Sequence, residues 1–415
     1  MNFIKTILFL LLCSFVTPQP AKAIPKDPHT LFAWLCIAGI GISAGNTLKT
    51  KLTPTWQRMS PKKKKLVKFL ATLAIGGAAA YGINWKLTQE SALAQELTKL
   101  GLPEEAKKTV IRVKGELNNM HPHSYERPSL EKYLNYLRNL PWKQPRTERL
   151  SISNAQATLR QASAALDKHH TGLKNVKEAI LNYIARLAHT GDNKAPIMCL
   201  LGPPGTGKTT IAKSIANCLG RKFASIALGG ASDDNMIRGH ARVYTGAAPG
   251  LIIETLRTVQ CSNPVILLDE IDKIRPKNSG GTSGDLYAAL LELLDPEQND
   301  RFTDHYIAHP FNLSSVMFIA TANDIQFIPK PLQSRMKFIT IPGYSKVEKM
   351  GIARNNLIPK AIQDAHLASN DVIISDDALN GMIDEANEEG VRQLTHIING
   401  HCTQVIRDKI ENHKE

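Results

Sequence analysis

The stretch Leu200-Leu201-Gly202-Pro203-Pro204-Gly205-Thr206-Gly207-Lys208-Thr209-Thr210 constrains the fold more than any other part of the chain. It satisfies G-x-x-x-x-G-K-[ST] at every position, and its flanks suit it. The apolar run Ile197 to Leu201 enters as a strand would, and Ile211 to Leu219 leaves with helical spacing. A strand, a glycine-rich turn and a helix in that order gather main-chain N–H groups and a helix N-terminus around one point, where phosphate oxygens bind. Gly202, Gly205 and Gly207 let the backbone approach closely, with Pro203, Pro204 and Thr206 completing the loop. Lys208 is placed to reach the β and γ phosphates of a nucleotide. The Thr209 hydroxyl, beside Thr210, is placed to hold Mg²⁺. ATP and Mg²⁺ are the expected ligands. A Gly/Pro-rich turn of no consequence would not explain why strand and helix both stand in their required places.

About sixty residues on comes Val265-Ile-Leu-Leu-Asp269-Glu270-Ile-Asp272, an apolar strand that ends in acids. Alone it reads equally well as a buried strand followed by acidic surface. At this distance from Lys208 it can be the next-but-one strand of the same sheet. Asp269 would then hold Mg²⁺, and Glu270 would orient and polarise an attacking water. A third buried strand, from Val316, ends at Asn323, whose amide can hydrogen-bond that water or the γ-phosphate. By itself an Asn after a strand is usually a turn residue. Arg335 precedes a strand from Phe338 to Ile341, and an isolated Arg there is by default a solvated surface charge.

The net charge of +14 is unevenly spread. Between Asn46 and Lys68, Lys49, Lys51, Arg58, Lys62, Lys63, Lys64, Lys65 and Lys68 occur with no acid, which is eight of the fourteen excess charges. The segment lies between apolar runs, so a membrane surface is a better partner for it than nucleic acid, and no specific nucleic acid is expected. Residues 1–23 read as a signal peptide or N-terminal anchor, with Lys5, an apolar Ile7 to Val16 and Ala21-Lys22-Ala23 as an A-x-A-type cleavage site. Residues 24–86 read as membrane-associated. Leu31 to Ala44 is apolar but short for a span, and Leu66 to Trp85 is long enough but carries Lys68 and several small residues. Two topologies stay open. Either Leu31 to Ala44 crosses and Leu66 to Trp85 lies in the interface, or the second crosses and the basic loop departs from the positive-inside rule. Both put the phosphate loop on the ATP-containing, cytoplasmic side of a membrane.

The six cysteines Cys13, Cys36, Cys199, Cys218, Cys261 and Cys402 are scattered, without metal-ligand or C-x-x-C spacing. Cys199 and Cys218 fall in predicted core elements and read as reduced, buried small hydrophobes, so that part of the chain is expected to face a reducing, ATP-containing compartment. Residues 87–192 show helical patterning throughout: an amphipathic run from Glu90 to Leu100, a break at Gly101-Leu-Pro103, acids at the next helix start, and further helices over Asn154 to Leu166 and Leu173 to Ala188. Residues 193–345 contain the strands described above. Residues 346–415 are helical, over Lys346 to Leu357, Asp376 to Asn387 and Val391 to Ile410.

From about Leu97 to Ile410 the chain resembles the ATPase module of the Lon protease family. The resemblance rests on Gly101-Leu-Pro-Glu-Glu, Leu140-Pro-Trp142, His169-His-Thr-Gly172, the phosphate loop, Ile237-Arg-Gly-His240, Tyr244-Thr-Gly-Ala-Ala-Pro-Gly250 and Asp269-Glu-Ile-Asp-Lys-Ile. Ala289-Leu-Leu-Glu-Leu-Leu-Asp-Pro-Glu-Gln-Asn299, Thr321-Ala-Asn323, Leu332-Gln-Ser-Arg335-Met336 and Gly390-Val-Arg392 complete it, and the Leu-Leu-Asp-Pro-Glu-Gln-Asn run is the most specific part. The resemblance implies an AAA+ fold: a P-loop α/β domain with a parallel sheet and a small helical lid, in a homo-hexameric ring that acts on protein substrates. It implies that Asn323 is sensor 1, Arg335 the arginine finger of a neighbouring site, Arg392 sensor 2, and Tyr244 the pore residue that grips a threaded polypeptide. The family usually has an aliphatic residue after that tyrosine, and Thr245 stands here. A segment of the Pro-Lys-Asp-Gly-Pro-Ser type, which carries the family's peptidase serine, is not found in the 415 residues. The expectation is a membrane-anchored motor without its own peptidase, working on proteins near the membrane or feeding a separate peptidase partner. The alternative is a nucleotide-binding scaffold joining Lon-like rings, or a degenerate truncated relative.

Overall fold

The structure is a computed structural model that describes residues 91–144, 152–170, 172–190, 196–231, 233–274, 286–368 and 370–412. The signal or anchor at 1–23, the apolar runs Leu31 to Ala44 and Leu66 to Trp85, and the basic loop lie outside them. Among the described residues no helix is long and apolar enough to cross a membrane. The chain divides into two units, Met1–Glu96 and Leu97–Glu415. In the first, residues 91–96 are helical.

The second unit begins with four helices, α1 (Glu104–Asn119), α2 (Arg127–Asn139), α3 (Ile152–His169) and α4 (Lys174–Thr190). Pro103 stops the preceding turn and α1 starts directly after it with Glu104 and Glu105 in its first turn, where the helix dipole favours acids. The α/β part follows: β1 (Ile197–Leu201), α5 (Lys208–Cys218), β2 (Phe223–Ala227), α6 (Asn235–Arg238), α7 (Leu251–Val259), β3 (Val265–Asp269) and α8 (Leu286–Leu293). A two-stranded ribbon, β4 (Phe302–Thr303) with β5 (Pro310–Phe311), precedes β6 (Met317–Ala322), α9 (Lys330–Gln333) and β7 (Met336–Thr340).

β2, β3, β6, β1 and β7 form one sheet in that order, with every pair parallel. The near-continuous apolar runs of β1, β3 and β6 suit strands covered on both faces, and their residues are buried from end to end apart from the last of β1 and β3. On one face Met198, Leu200, Leu267, Ile319 and Ile339 pack with Ala162 and Leu166 of α3, Ile180 and Ile184 of α4, and Ile211 and Ile215 of α5. Each of these Leu, Ile and Met side chains contributes roughly 1.5–3 kcal/mol on burial. The third strand in sequence lies two places from β1, with β6 between them. The strand expected at Phe338 to Ile341 runs from Met336 to Thr340, because its pairing with β1 begins where Ile197 meets Met336.

The remaining helices form a small separate layer: α10 (Lys346–Ile352), α11 (Ile358–Asp364), α12 (Asp376–Ala386) and α13 (Arg392–Asn412). Ser345 and Glu348 close a reciprocal capping box on α10. A π-helical turn, Ala353–Leu357, joins α10 to α11. Pro359 lies two residues past its end, without an N–H and with a ring that would crowd the carbonyl of the preceding turn, so one widened turn lets the helix continue past it. Ile358, Ala361, Leu379, Ile383, Leu394, Ile398 and Cys402 form the core of this layer. Cys199 and Cys402 are buried, all four described cysteines are free thiols, and burial pushes the Cys199 thiol up to about 12, as for a small hydrophobe.

Candidate nucleotide site and substrate loop

Parallel strands deliver their C-terminal ends to one edge of the sheet, and three neighbours deliver the acids and amides there. The 202–207 loop leaves β1, Asn323 follows β6, and Asp269 ends β3. In the loop, Gly205 and Gly207 take left-handed φ of 79° and 82°. Gly207 is also the N-cap of α5, and no side chain caps that helix. Its first-turn N–H groups therefore face the loop's concavity, the donor set that a nucleotide's phosphates fit. Gly202 lies so close to β7's exit that a Cβ would come within 2.2 Å of the Ile341 carbonyl.

Lys208 is half-buried at the centre. Its Nζ donates to the carbonyls of Gly202 (2.7 Å) and Pro203 (2.8 Å) and to Oδ1 of Asn323 (2.9 Å). Burial pushes the ammonium below the usual lysine range. The carboxylates of Asp272, Asp269 and Glu270 oppose that, and Arg392 adds to it. Thr209 and Thr210 are exposed on the first turn of α5, and the Thr210 hydroxyl donates to the Gly207 carbonyl at 2.7 Å.

Two residues that the sequence reading did not single out hold this edge together, Thr321 on Asp269 and Glu270, and Asp272 on the turn after β6. Thr321, one strand away on β6 and 1% exposed, donates its hydroxyl to Asp269 Oδ1 and accepts the Glu270 N–H at 3.0 Å. Glu270 takes φ 59°, ψ 49°, a left-handed conformation that is costly for a side chain of its size. Its carboxylate pairs with Lys273 at 2.6 Å and lies over Gly229, where a Cβ would meet Oε2 at 2.7 Å. Asp272 accepts the N–H groups of Asn323 (3.0 Å) and Asp324 (3.3 Å) through Oδ2, and Oδ1 is buried without a partner. The signal for both was present in Thr321-Ala-Asn323 and Asp269-Glu-Ile-Asp272, but the contacts run between strands fifty residues apart and no local pattern shows them.

The helical layer reaches the same loop. Val391 N–H donates to the Gly205 carbonyl at 3.1 Å, and a Cβ on Gly390 would meet the Pro204 carbonyl at 2.3 Å. Arg392 begins α13, with its backbone N 3.0 Å from the position of a Gly205 Cβ. Its own side chain is exposed beside the loop. Tyr344 ties the two layers: its hydroxyl donates to the Thr206 carbonyl and its N–H to the Glu389 carbonyl, both at 2.9 Å.

Arg335 is elsewhere. Its carbonyl accepts the Ile197 N–H at the opposite end of β1, four residues or roughly 13 Å of strand from the loop. Its guanidinium donates to the Leu291 carbonyl and pairs with Asp295 at 3.1 Å. Tyr244 belongs to a different loop from the one at 202–207. It stands 66% exposed on a loop closed by Gly239 and Gly250, and Val243 beside it is 86% exposed, so the apolar companion of the tyrosine precedes it where Thr245 follows. Among the described residues no group of three or more His, Cys, Asp or Glu side chains surrounds a point as a metal cage. Thr209 lies in the first turn of the helix after the phosphate loop and Asp269 ends β3 at the same sheet edge, the two oxygen donors that a Mg²⁺ shared with phosphate oxygens would need.

Residues 198–344 match the ATPase family associated with various cellular activities (AAA). Over these residues the fold and the sequence match define an AAA-type domain. Over 324 residues the chain is 42% identical to a Lon protease of Desulfovibrio desulfuricans, covering 78% of this chain and 36% of that protein. It is 41% identical over 323 residues to Lon protease 1 of Bacillus subtilis (78% and 40%) and 46% identical over 303 residues to a Lon protease of Dictyoglomus thermophilum (73% and 37%). The chain carries a Lon-like AAA+ module, and it spans well under half the length of these curated relatives.

Proposed function

We propose that this chain is a ring-forming AAA+ motor that hydrolyses ATP to unfold, translocate or remodel proteins, tethered to a membrane through residues 1–86. The observation that supports the motor reading best is the meeting of Lys208, Asn323, Asp269 and Glu270 at one sheet edge, under a lid loop bonded to Gly205. Lys208 exchanges loop carbonyls for β- and γ-phosphate oxygens. Thr209 and Asp269 would hold Mg²⁺, whose charge would offset that of the phosphate oxygens. Glu270 leaves Lys273 to polarise the attacking water, which Asn323 orients. Arg392, on the lid, contacts the γ-phosphate. Arg335 is too far from its own loop to serve it and completes the site of the next subunit, which requires a closed head-to-tail ring, a homo-hexamer. Tyr244 and Val243 grip the substrate polypeptide. The relatives' name, Lon protease, makes a peptidase the natural receiver of that polypeptide. The eight basic residues between Asn46 and Lys68, flanked by apolar runs, support the membrane tether with the motor on the cytoplasmic side.

The test is ATP turnover by the full 415-residue chain at several protein concentrations, with and without an unfolded protein. Turnover per chain that rises with both is the expected result. Tight ATP binding with no turnover under any condition would replace the motor with a nucleotide-binding scaffold.

A further inference from the structure

The loop that carries Tyr244 is held from outside the AAA-matched residues. Its stem is fixed within the α/β part: His240 N–H donates to the Ala248 carbonyl at 3.0 Å, and Gly250 N–H donates to Asp304 Oδ2 at 2.7 Å. Its two limbs are held by consecutive residues of α2, more than a hundred positions earlier in sequence. On the outgoing limb the Arg242 guanidinium stacks 3.8 Å from the centre of the Tyr133 ring. On the returning limb the Ala247 carbonyl accepts from Lys132 Nζ at 3.4 Å. Tyr133 is itself immobilised: it is 1% exposed, its hydroxyl donates to the Ile307 carbonyl at 3.0 Å, and its ring meets the edge of Tyr306 at 5.9 Å between centroids. Tyr306 and Ile307 give their N–H groups to Asp304 Oδ1, so the stem anchor and the α2 anchor share one cluster.

We propose that Lys132 and Tyr133 clamp the substrate loop, Tyr133 acting through Arg242 as the positioning residue for Val243 and Tyr244. The proposal rests on the reading of Tyr244 as the residue that grips the polypeptide. A loop that pushes on a chain transmits force only if its base is stiffer than its tip. Within the exposed run from Arg242 to Gly246, where Gly246 takes φ 81°, the Tyr244 N–H donates to the Ala241 carbonyl at 3.1 Å and the Ala247 N–H to the Tyr244 carbonyl at 3.2 Å, turn bonds that shape the tip but seat it on nothing outside the loop. The planar cation on a buried aromatic face gives a fixed seat directly beside the two apolar residues that meet substrate. α2 thereby couples the helices that precede the AAA domain to the grip on substrate.

The experiment is protein-stimulated ATP turnover by the full chain, titrated with reduced, carboxymethylated lactalbumin, for wild type, Arg242→Gln, Tyr133→Leu, Tyr133→Phe and Tyr244→Ala. Arg242→Gln and Tyr133→Leu are expected to leave turnover without lactalbumin unchanged and to raise the half-saturating lactalbumin concentration by about fivefold. The double variant should do no more than either single one, because both remove the same contact. Tyr133→Phe keeps the ring and should respond as wild type. Arg242 is exposed, so its variant remains informative if Tyr133→Leu fails to fold. A wild-type response from Arg242→Gln together with a lost response from Tyr244→Ala would overturn the clamp and keep the grip. A wild-type response from Tyr244→Ala would remove the grip, and the clamp with it.

Discussion

Lys208 is held by partners that nucleotide phosphates would replace, two carbonyls of its own loop and the Asn323 amide. Removing the cation leaves β- and γ-phosphates without their point charge, so Lys208→Ala should not bind ATP. Glu270→Gln keeps the shape and loses the proton acceptor, and should bind ATP without turning it over. Equal turnover by Glu270→Gln and wild type would remove the water-polarising role. Thr321 offers a finer test. Its hydroxyl faces Asp269 and the Glu270 N–H at once, and Val matches its shape without the hydroxyl. Thr321→Val should lower turnover by about tenfold or more, since one lost bond of this type costs about 1–3 kcal/mol when a buried partner is left unpaired. ATP affinity should change little, and Thr321→Ser should restore the rate. A Thr321→Val enzyme with wild-type turnover and Mg²⁺ requirement would show that the acids hold their places without it.

At the nucleotide site the elements meet through close backbone approaches. The loop before α13 fits against the phosphate loop only because Gly390 has no Cβ, the nearest oxygen being 2.3 Å from where one would be. Gly390→Ala should push the lid off and weaken ATP binding by roughly tenfold, the scale of one overpacked contact. Titration with a fluorescent ATP analogue measures it, and unchanged affinity would mean that the lid loop makes no contribution to binding. Asp304 plays the matching part at the substrate loop. It is fully buried and accepts three N–H groups, from Gly250, Tyr306 and Ile307. Burial pushes its carboxyl above the usual range, and the three N–H bonds, which favour the charged form, pull the other way. Asp304→Asn must turn an NH₂ toward at least one of those donors and should cost about 1–3 kcal/mol in chemical denaturation. An unchanged midpoint would show that the loop stem is anchored by packing alone.

For the whole molecule the informative residue is Arg335. The strand register places it at the N-terminal end of the sheet, while its own phosphate loop is at the C-terminal end. A single chain therefore cannot bring the two together without unfolding β1 from β7. Arg335→Ala should bind ATP with normal affinity and lose turnover by about a thousandfold, the scale set for such residues in phosphoryl transfer. Mixing it with Lys208→Ala, which is inactive for the opposite reason, should restore turnover, because a ring then holds sites with an intact loop from one chain and an intact Arg335 from its neighbour. No recovery in rings shown to be mixed would end the in-trans assignment.

The phosphate loop, the acidic strand end, the helical run before them and the helical layer after them were all legible in the amino-acid order. Each is a local pattern in which spacing and chemistry coincide, as in Gly202 to Thr209 or in Pro103 followed by Glu104 and Glu105. The resemblance carried by the longer motifs extended that to the AAA+ architecture. What the order could not show is which strand lies beside which. Only the β3-β6-β1 neighbourhood brings Thr321 to Asp269, Asp272 to Asn323 and Asn323 to Lys208, and only the packing of α2 seats Arg242 on Tyr133. Local preferences are set by residues a few positions apart, whereas these contacts join positions fifty to more than a hundred apart, and burial of the whole sheet between its helices is what decides them.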